Sequence, residues 1–219
     1  MFVSMWMSKE LITAHPDDSI ATIAELMRRH RIRRVPIVSR EDPEKLLGIV
    51  SHTDVMHAFP LEVLPTSVTA STDEAVELHR ASDVMSAETL STSPEAPIES
   101  AAQSMREHKL GALPVLHDGR LVGVITESDI FNAFVSMLHP AKAAVRITFE
   151  IREGENVFPL IARIAEQRGL QVNTFVSLRQ HDRPMGMVQV TGPKIEDAID
   201  DFWKSHHRVV NVQHLGMAS

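Results

Sequence analysis

An internal duplication constrains the fold of this chain more than any other feature of its sequence. When the sequence is shifted by 78 positions, residues 15–38 align with residues 93–116, and seven of the 24 positions are identical. The identical pairs include Pro16 with Pro94, Met27 with Met105 and Pro36 with Pro114. The shift then falls to 75, because a charged loop is three residues longer in the first copy, and solvated turns tolerate such changes. One structural unit is therefore written twice.

Each copy predicts the same short series of elements. In the first copy, Ser19 precedes apolar residues at helical spacing and predicts a helix over Ile20–His30 with Ser19 as its N-cap. A short β segment is expected at residues 11–13, and buried strands at 35–38 and 46–50. The predicted order is β-α-β-β followed by a helix. The second copy is expected to end in a helix over residues 127–138.

Both copies finish with the same motif, in which Gly is followed by Ser or Thr at the third step and Asp at the sixth. The residues from the hydroxyl to the carboxylate are Ser51, Thr53 and Asp54 in the first copy and Thr126, Ser128 and Asp129 in the second. Glycine lets the backbone pass close to another group. Hydroxyl and carboxylate oxygens at a helix start can cap N–H groups or hold a ligand's hydroxyls. Capping alone stays open as the alternative.

A third region does not fit the repeat. Residues 144–151 alternate in strand fashion, and they are followed by a helical stripe over 157–167, two strands near 170–178 and 185–191, a helix over 195–205 and a strand at 209–214. This β-α-β-β-α-β order predicts a small ferredoxin-like sandwich.

Composition excludes several classes of function. A formal net charge of −7 and a pI near 5.9 disfavour nucleic acid as a partner. No apolar run approaches the ~20 residues needed to cross a bilayer, and no signal peptide is evident, so we expect no membrane partner and a cytoplasmic location. The chain has no cysteine, and its 12 histidines include no His-x-x-x-His pair that could face one metal. No metal site is predicted.

The sequence predicts no catalytic residues. It lacks a Gly-x-Ser-x-Gly elbow, a phosphate-binding P-loop and a His-Glu-x-x-His motif, and its carboxylates have no candidate acid or base partner at a recognisable spacing. We therefore predict that the protein is not an enzyme.

Binding of a nucleotide is consistent with the residues that the repeats supply. Asp54 and Asp129 can each accept from paired ribose hydroxyls, and Arg33 and Arg34 can clamp phosphate. The positions that match these arginines in the second copy, residues 111 and 112, are Gly and Ala. This predicts two unequal clefts, with phosphate favoured where Arg33 and Arg34 accompany the first copy. A solvated helix end is the alternative for the two arginines.

The duplicated unit resembles the CBS domain, named for cystathionine β-synthase. The resemblance rests on Thr13 with Pro16, the 35–38 strand and the Gly-x-x-Ser/Thr-x-x-Asp ending, and it implies a tandem pair, or Bateman module, with pseudo-twofold symmetry. In that family the motif's Asp holds ribose, its Ser or Thr lies near ribose and phosphate, and the first-strand hydroxyl, here Thr13 or its mate Ser91, helps at the cleft. The implied ligand is ATP, ADP, AMP or an S-adenosyl compound, and the implied assembly is a homodimer.

The third region is similar to an ACT domain, which implies a small amino acid as its ligand, although the usual Asp-x-x-Pro-Gly turn is not reproduced. The predicted α+β organisation is a CBS repeat at 1–60, a linker at 61–80, a second repeat at 81–140 and an ACT-like domain at 143–215. This arrangement resembles CBS/ACT proteins of acetoin utilisation.

Three hypotheses follow. The favoured one is a regulatory sensor in which an adenine nucleotide or adenosyl ligand biases the repeats, and an unidentified regulated protein or the C-terminal domain responds. The alternatives are a ligand-independent dimerisation scaffold and, with least support, an enzyme acting on a nucleotide.

Overall fold

The computed structural model describes residues 1–58, 79–138 and 144–216. The chain divides into unit 1, Met1–Asn132, and unit 2, Ala133–Ser219. This boundary lies inside a helix, ten residues before the predicted start of the third region at residue 143. Most of the predicted linker at 61–80 falls outside the described residues.

Apart from its first β segment, the first repeat forms the expected elements with small shifts at their ends. After a single 3-10 turn, its elements are α1 (Ile20–His30), β1 (Arg34–Val38), β2 (Leu46–Ser51) and α2 (His52–Ala58). The predicted cap of α1 is confirmed, because the Ser19 hydroxyl accepts the N–H of Thr22 at 3.1 Å. The helix ends at Arg31, whose φ of 54° is left-handed.

The β segment expected at residues 11–13 is wrong. The described structure has only an isolated parallel bridge here, between Ala14 and Ile37. Ala14 donates to the Pro36 carbonyl at 3.0 Å and accepts from Val38 at 2.9 Å. Pro36 has no N–H, so the ladder cannot extend through it.

The second repeat has the same plan. Its elements are α3 (Ala81–Val84), α4 (Ile98–His108), β3 (Ala112–His117), β4 (Arg120–Thr126) and α5 (Glu127–Leu138). Helix α5 has the predicted bounds. Helix α4 ends at Lys109 with a φ of 55°, as its mate α1 ends at Arg31. In each repeat the two strands form an antiparallel hairpin.

The two repeats exchange their leading segments. Ser8 donates to the carbonyl of Val124 in β4 at 2.9 Å and accepts from the same residue at 3.0 Å. Ser86 forms the equivalent two bonds with Ile49 in β2, at 3.0 and 3.1 Å. The chain before each repeat's first helix therefore pairs with the hairpin of the other repeat, and the two repeats build unit 1 jointly.

Apolar side chains on one side of α1 form the core of the first repeat. Ile20, Ile23 and Met27 pack with the strand residues Val35 and Ile37, and all five are at least 96% buried. Each such side chain contributes roughly 1.5–3 kcal/mol relative to an exposed position. This packing fixes α1 against β1 and so fixes the position of the arginines between them.

In its described residues, unit 2 contains the carboxyl half of α5, a four-stranded antiparallel sheet and two further helices. Its elements are β5 (Ala144–Glu150), α6 (Phe158–Arg168), β6 (Gln171–Gln180), β7 (Arg183–Thr191), α7 (Ile195–Trp203) and β8 (Val209–Leu215). This β-α-β-β-α-β series is the order expected from the sequence, and the strands lie in the order β6-β7-β5-β8. Phe149 and Phe202, with ring centroids 5.4 Å apart, are central to its core.

The turn between β6 and β7 is shorter than expected. Only His181 and Asp182 form it, with φ of 49° and 62°, while Arg183 and Pro184 already belong to β7. Two left-handed residues suit the tight hairpin that matches strand twist.

In the described parts of the chain, no helix combines the length and the apolar character required to span a membrane.

Candidate functional site

The first Gly-x-x-Ser-x-x-Asp motif forms a reciprocal cap at the start of α2. Asp54 Oδ2 accepts from the Ser51 backbone N–H at 2.7 Å and from the Ser51 hydroxyl at 2.7 Å. The Ser51 hydroxyl in turn accepts the Asp54 N–H at 3.2 Å. Hydroxyl and carboxylate thus satisfy backbone donors that a helix start leaves without partners.

The second motif repeats this geometry at the start of α5. Asp129 Oδ2 accepts from the Thr126 N–H at 2.8 Å and from its hydroxyl at 2.7 Å, and the Asp129 N–H donates back at 3.2 Å. Among the described residues, the Oδ1 atoms of Asp54 and Asp129 accept no hydrogen bond. A carboxylate offers about four acceptor positions, so capping leaves Oδ1 able to accept from a ligand.

The motif glycines are required where the exchanged segments cross the hairpins. A Cβ added at Gly48 would lie 2.9 Å from the carbonyl oxygen of Ser86. One added at Gly123 would lie 2.7 Å from the sulfur of Met7 and 3.1 Å from the carbonyl oxygen of Ser8. The close approach expected from the sequence is therefore present, and its partner is the leading segment of the other repeat.

Unit 1 contains a cleft of about 550 Å³ that draws its wall from both repeats. It brings together five of the ten predicted site residues, namely Arg33, Arg34, Thr126, Ser128 and Asp129. Apolar surface comes from Leu11, Ile12, Ile32, Pro36, Ala112 and Val124. A slot with apolar walls and a few convergent polar groups is the usual form of a small-molecule site.

The placement of Arg33 and Arg34 corrects one prediction. The sequence analysis placed them with the first copy, whereas both line the cleft of Asp129, which belongs to the second copy. Arg34 Nη1 lies 2.6 Å from the point where Gly111 would carry a Cβ. Gly111, the position that matches Arg33 in the other repeat, lines this cleft and leaves space for the Arg34 guanidinium. The position of the two arginines along the chain did not predict which motif they lie beside, because each repeat packs against segments of the other.

The other five predicted residues do not line this cleft. Ser51 and Asp54 are held together at the start of α2, and Thr53 is exposed beside them. Thr13 lies next to Ile12, which does line the cleft, and Ser91 is exposed in the matching segment.

Sequence reasoning missed other polar groups in the cleft, notably Arg31, Glu10 and Glu127. Arg31 had a detectable signal, because its repeat mate Lys109 is also basic and both end a helix in the left-handed conformation. Glu127 had none, because its repeat mate in the first motif is His52. A carboxylate there could not be inferred from the duplication.

The arginines of the cleft lack the carboxylate partner that three other arginines of unit 1 have. Arg28, Arg40 and Arg120 form ion pairs with Glu25, Asp17 and Glu44. Hydrogen bonds from Arg40 hold the pKa of the Asp17 carboxyl below its usual value. Within the described residues, Arg31, Arg33 and Arg34 form no ion pair and no hydrogen bond through their side chains. Their guanidinium donors are therefore available to an anion.

Across residues 1–58, 79–138 and 144–216, no three His, Asp or Glu side chains converge where they could hold a metal ion.

Comparison with known proteins places this geometry in a family. The model of the CBS domain matches residues 3–61 and 81–136. A CBS domain-containing protein of Dictyostelium discoideum is 30% identical over 141 residues, which is 64% of this chain and 95% of that protein. The inosine-5'-monophosphate dehydrogenase of Staphylococcus haemolyticus is 32% identical over 130 residues, but the chain spans only 23% of that enzyme.

Two solved structures are similar to this part of the chain. A Vibrio cholerae protein assigned to acetoin utilization is 32% identical, with a TM-score of 0.53 over 63% of this chain and 93% of that chain. The CBS domain pair of protein MJ0100, in complex with 5'-methylthioadenosine and S-adenosyl-L-methionine, is 26% identical, with a TM-score of 0.51 over 62% of this chain and 97% of that chain. The chain therefore belongs to the CBS-domain family, with two tandem copies of the domain before the sheet of unit 2.

Proposed function

We propose that this protein is a non-catalytic regulator that binds an adenine nucleotide or another adenosyl compound in the Asp129 cleft. The observation that carries the proposal is the meeting of Asp129 with three arginines, Arg31, Arg33 and Arg34, in one cleft of about 550 Å³. Ribose, phosphate and base require a carboxylate, cationic donors and an apolar slot, and this cleft supplies each of them.

Asp129 and Ser128 are the residues best suited to the ribose. Asp129 Oδ2 is used in the cap, whereas Oδ1 accepts no bond from the described residues. The Thr126 hydroxyl already donates to Asp129 and accepts from it, which leaves little capacity for a ligand. The Ser128 hydroxyl is exposed and has no partner within the described residues. We therefore assign ligand contact to Asp129 and Ser128, and local positioning to Thr126.

The arginines favour a ligand that carries phosphate. Guanidinium groups without a carboxylate partner bind phosphate through paired N–H donors, and such charge-assisted bonds are about twice as strong as neutral ones. Glu10 and Glu127 line the same cleft, and Glu127 Oε2 lies 3.1 Å from the Cβ position of Gly111. They allow the cleft to take the cationic part of an S-adenosyl ligand as well. The adenosyl ligands of the MJ0100 domain pair, at 26% identity, support this class.

The motif of the first repeat provides a second, weaker site in this proposal. Ser51 and Asp54 repeat the cap geometry of Thr126 and Asp129, and the hydroxyls of Thr53, Thr13 and Ser91 are the remaining candidates. We expect this site to bind phosphate less tightly, because the Arg33 and Arg34 side chains line the other cleft.

The response to the ligand is the second part of the proposal. Unit 2 is proposed to be ACT-like, on the strength of its β-α-β-β-α-β order and its antiparallel strand order β6-β7-β5-β8. It is then a candidate for binding a small amino acid or for passing a change to a regulated protein. The 32% identity to the Vibrio cholerae protein supports a role of the acetoin-utilization type, and we propose a cytoplasmic homodimer as the working form.

A dimerisation scaffold is the second candidate function, and exposed apolar side chains favour it. Phe131, Phe134 and Val135 on α5 are 68%, 43% and 44% exposed. Apolar side chains grouped on one helix suit association with another protein surface.

Thermal unfolding in the presence of ligands tests the proposal. We expect ATP, AMP or S-adenosylmethionine to raise Tm, because a ligand that binds only the folded state stabilises it by mass action, by about 2.7 kcal/mol at 100 times its Kd. A scaffold predicts an unchanged Tm with all three compounds and a molecular mass that rises with protein concentration. That result would remove the sensor from consideration.

A further inference from the structure

Helix α5 begins in the Asp129 cleft. Its first three residues, Glu127, Ser128 and Asp129, all line the cleft, and the Thr126–Asp129 cap holds its first turn. Any ligand contact with Asp129 or Ser128 therefore acts on the amino end of this helix.

The carboxyl end of α5 belongs to unit 2, which begins at residue 133, and it is held by the sheet of that unit. Arg146 on β5 donates from Nη2 to the Leu138 carbonyl at 2.8 Å. The Thr174 hydroxyl on β6 donates to the Met137 carbonyl at 3.1 Å. The last carbonyls of a helix have no partner within it, so these two bonds act as its C-terminal cap.

Arg146 supplies a positive charge at the carboxyl end of α5, where the helix itself has no basic residue. Helix α1 carries Arg28, Arg29 and His30 in its last turn, and α4 carries Arg106 and His108, but α5 has no basic residue there. A cation near the last turn stabilises the negative end of a helix dipole. In α5 this cation comes from the sheet of unit 2.

The cap is built on a row that crosses three strands. Arg146 on β5 is paired in register with Gln189 on β7, and Gln189 is paired with Thr174 on β6. Gln189 is only 1% exposed, and its Oε1 lies 3.3 Å from Arg146 Nη2. The position of the Arg146 fork is therefore tied to the middle of the sheet.

We propose that Arg146 and Thr174 are positioning residues that couple occupancy of the Asp129 cleft to the sheet of unit 2 through α5. The inference rests on the proposed ligand function of that cleft. A 12-residue helix moves nearly as a rod, so a shift of its first turn is carried to the Met137 and Leu138 carbonyls. Ligand affinity and the stability of β5 and β6 are then linked, and the linkage acts in both directions.

Hydrogen–deuterium exchange of the full chain, with and without ligand, tests the coupling. The probe is whichever of ATP, AMP and S-adenosylmethionine raises Tm most. In the wild type we expect it to slow exchange in residues 144–150 and 171–180 by about fivefold or more, the lower end of common allosteric couplings. In Arg146→Met and Thr174→Val, ligand still slows exchange at residues 126–131, but the effect on the two strands is lost.

Arg163→Met is the matched control, because Arg163 is exposed on α6 and makes no ion pair within the described residues. It should exchange like the wild type. If Arg146→Met does not fold, Arg146→Lys is used in its place, because lysine keeps the positive charge but lacks the planar guanidinium group. Persistence of the strand effect in both folded variants overturns the coupling, as does binding to the wild type without any strand effect. If none of the three compounds binds the wild type, the proposed function itself fails.

Discussion

The substitution Asp129→Asn would separate the helix cap formed by Asp129 from its proposed role in ligand binding. The amide oxygen of the new side chain can still accept from the Thr126 backbone and hydroxyl, as Oδ2 does now at 2.8 and 2.7 Å. The amide nitrogen, however, cannot accept from a ribose hydroxyl. Asp54→Asn is a matched control, since its cap distances are 2.7, 2.7 and 3.2 Å in the same order.

The expected magnitudes differ between stability and binding. Both variants keep a neutral cap, so each should lose less than the roughly 1 kcal/mol that removing a cap side chain costs. Loss of a charged acceptor for ribose should cost about 1.5–3 kcal/mol, which corresponds to roughly 10- to 150-fold in Kd. Asp129→Asn should therefore weaken ATP binding at least about tenfold, and Asp54→Asn by no more than about twofold.

Isothermal titration with ATP, alongside Tm without ligand, measures both quantities. Similar small losses of Tm in the two variants, together with a large change in Kd only for Asp129→Asn, support the role in the cleft. Equal Kd values for wild type and Asp129→Asn would refute it and leave Asp129 as a helix cap. An equal loss of affinity in both variants would refute the inequality of the two sites.

Three further predictions test other parts of the structure. Arg34→Met should weaken ATP binding roughly 10-fold or more while changing 5'-methylthioadenosine binding little by titration calorimetry, because only ATP carries phosphate; equal loss for both compounds contradicts a phosphate role. Gly48→Ala should lower the free energy of unfolding by about 1–3 kcal/mol in urea titration, since its Cβ would meet the Ser86 backbone oxygen at 2.9 Å, and an unchanged value contradicts the close approach. Hydrogen bonds from Arg168 lower the pKa of the Asp201 carboxyl below its ordinary value of 3.8. Their contribution to the stability of the fold is therefore complete above that pH and is lost as the pH falls through the lower pKa of the folded state. NMR titration of Asp201 in Arg168→Met should show a higher pKa than in the wild type, and an unchanged pKa contradicts the assignment.

Local patterns in the sequence were sufficient to predict most elements. The bounds of α1 and α5 follow from caps and apolar spacing, and the Ser19 cap is present as expected. The expected strand at residues 11–13 is reduced to one bridge because Pro36, on the partner strand, cannot donate. That outcome depends on the identity of a neighbour, which the segment's own residues do not reveal.

The composition of the cleft was harder to predict, because it depends on which segments meet. The duplication predicted that Thr126 and Asp129 act together, as a helix cap or as ligand-binding residues, and the structure brings them into one cleft with Arg34. The duplication gave no indication that Arg34 lies beside the second motif. Aligning two repeats shows which residues are equivalent, but it does not show which residues are in contact. Glu127 escaped notice because repeat symmetry is broken at that position.

The exchange of leading segments accounts for the different surroundings of the two similar motifs. Each motif glycine faces the segment that leads into the other repeat, and the Asp129 cleft is lined by residues of both repeats. A change in one repeat, such as arginine at position 34 in place of the alanine at 112, therefore alters the cleft of the other repeat's motif. Each copy of the motif contains a helix cap in which the aspartate Oδ2 accepts hydrogen bonds, while Oδ1 accepts none from the described residues. Because the packing is interlocked, Arg33 and Arg34 of the first copy line the cleft of Asp129 in the second copy, and this is why we propose a phosphate-bearing ligand for that cleft.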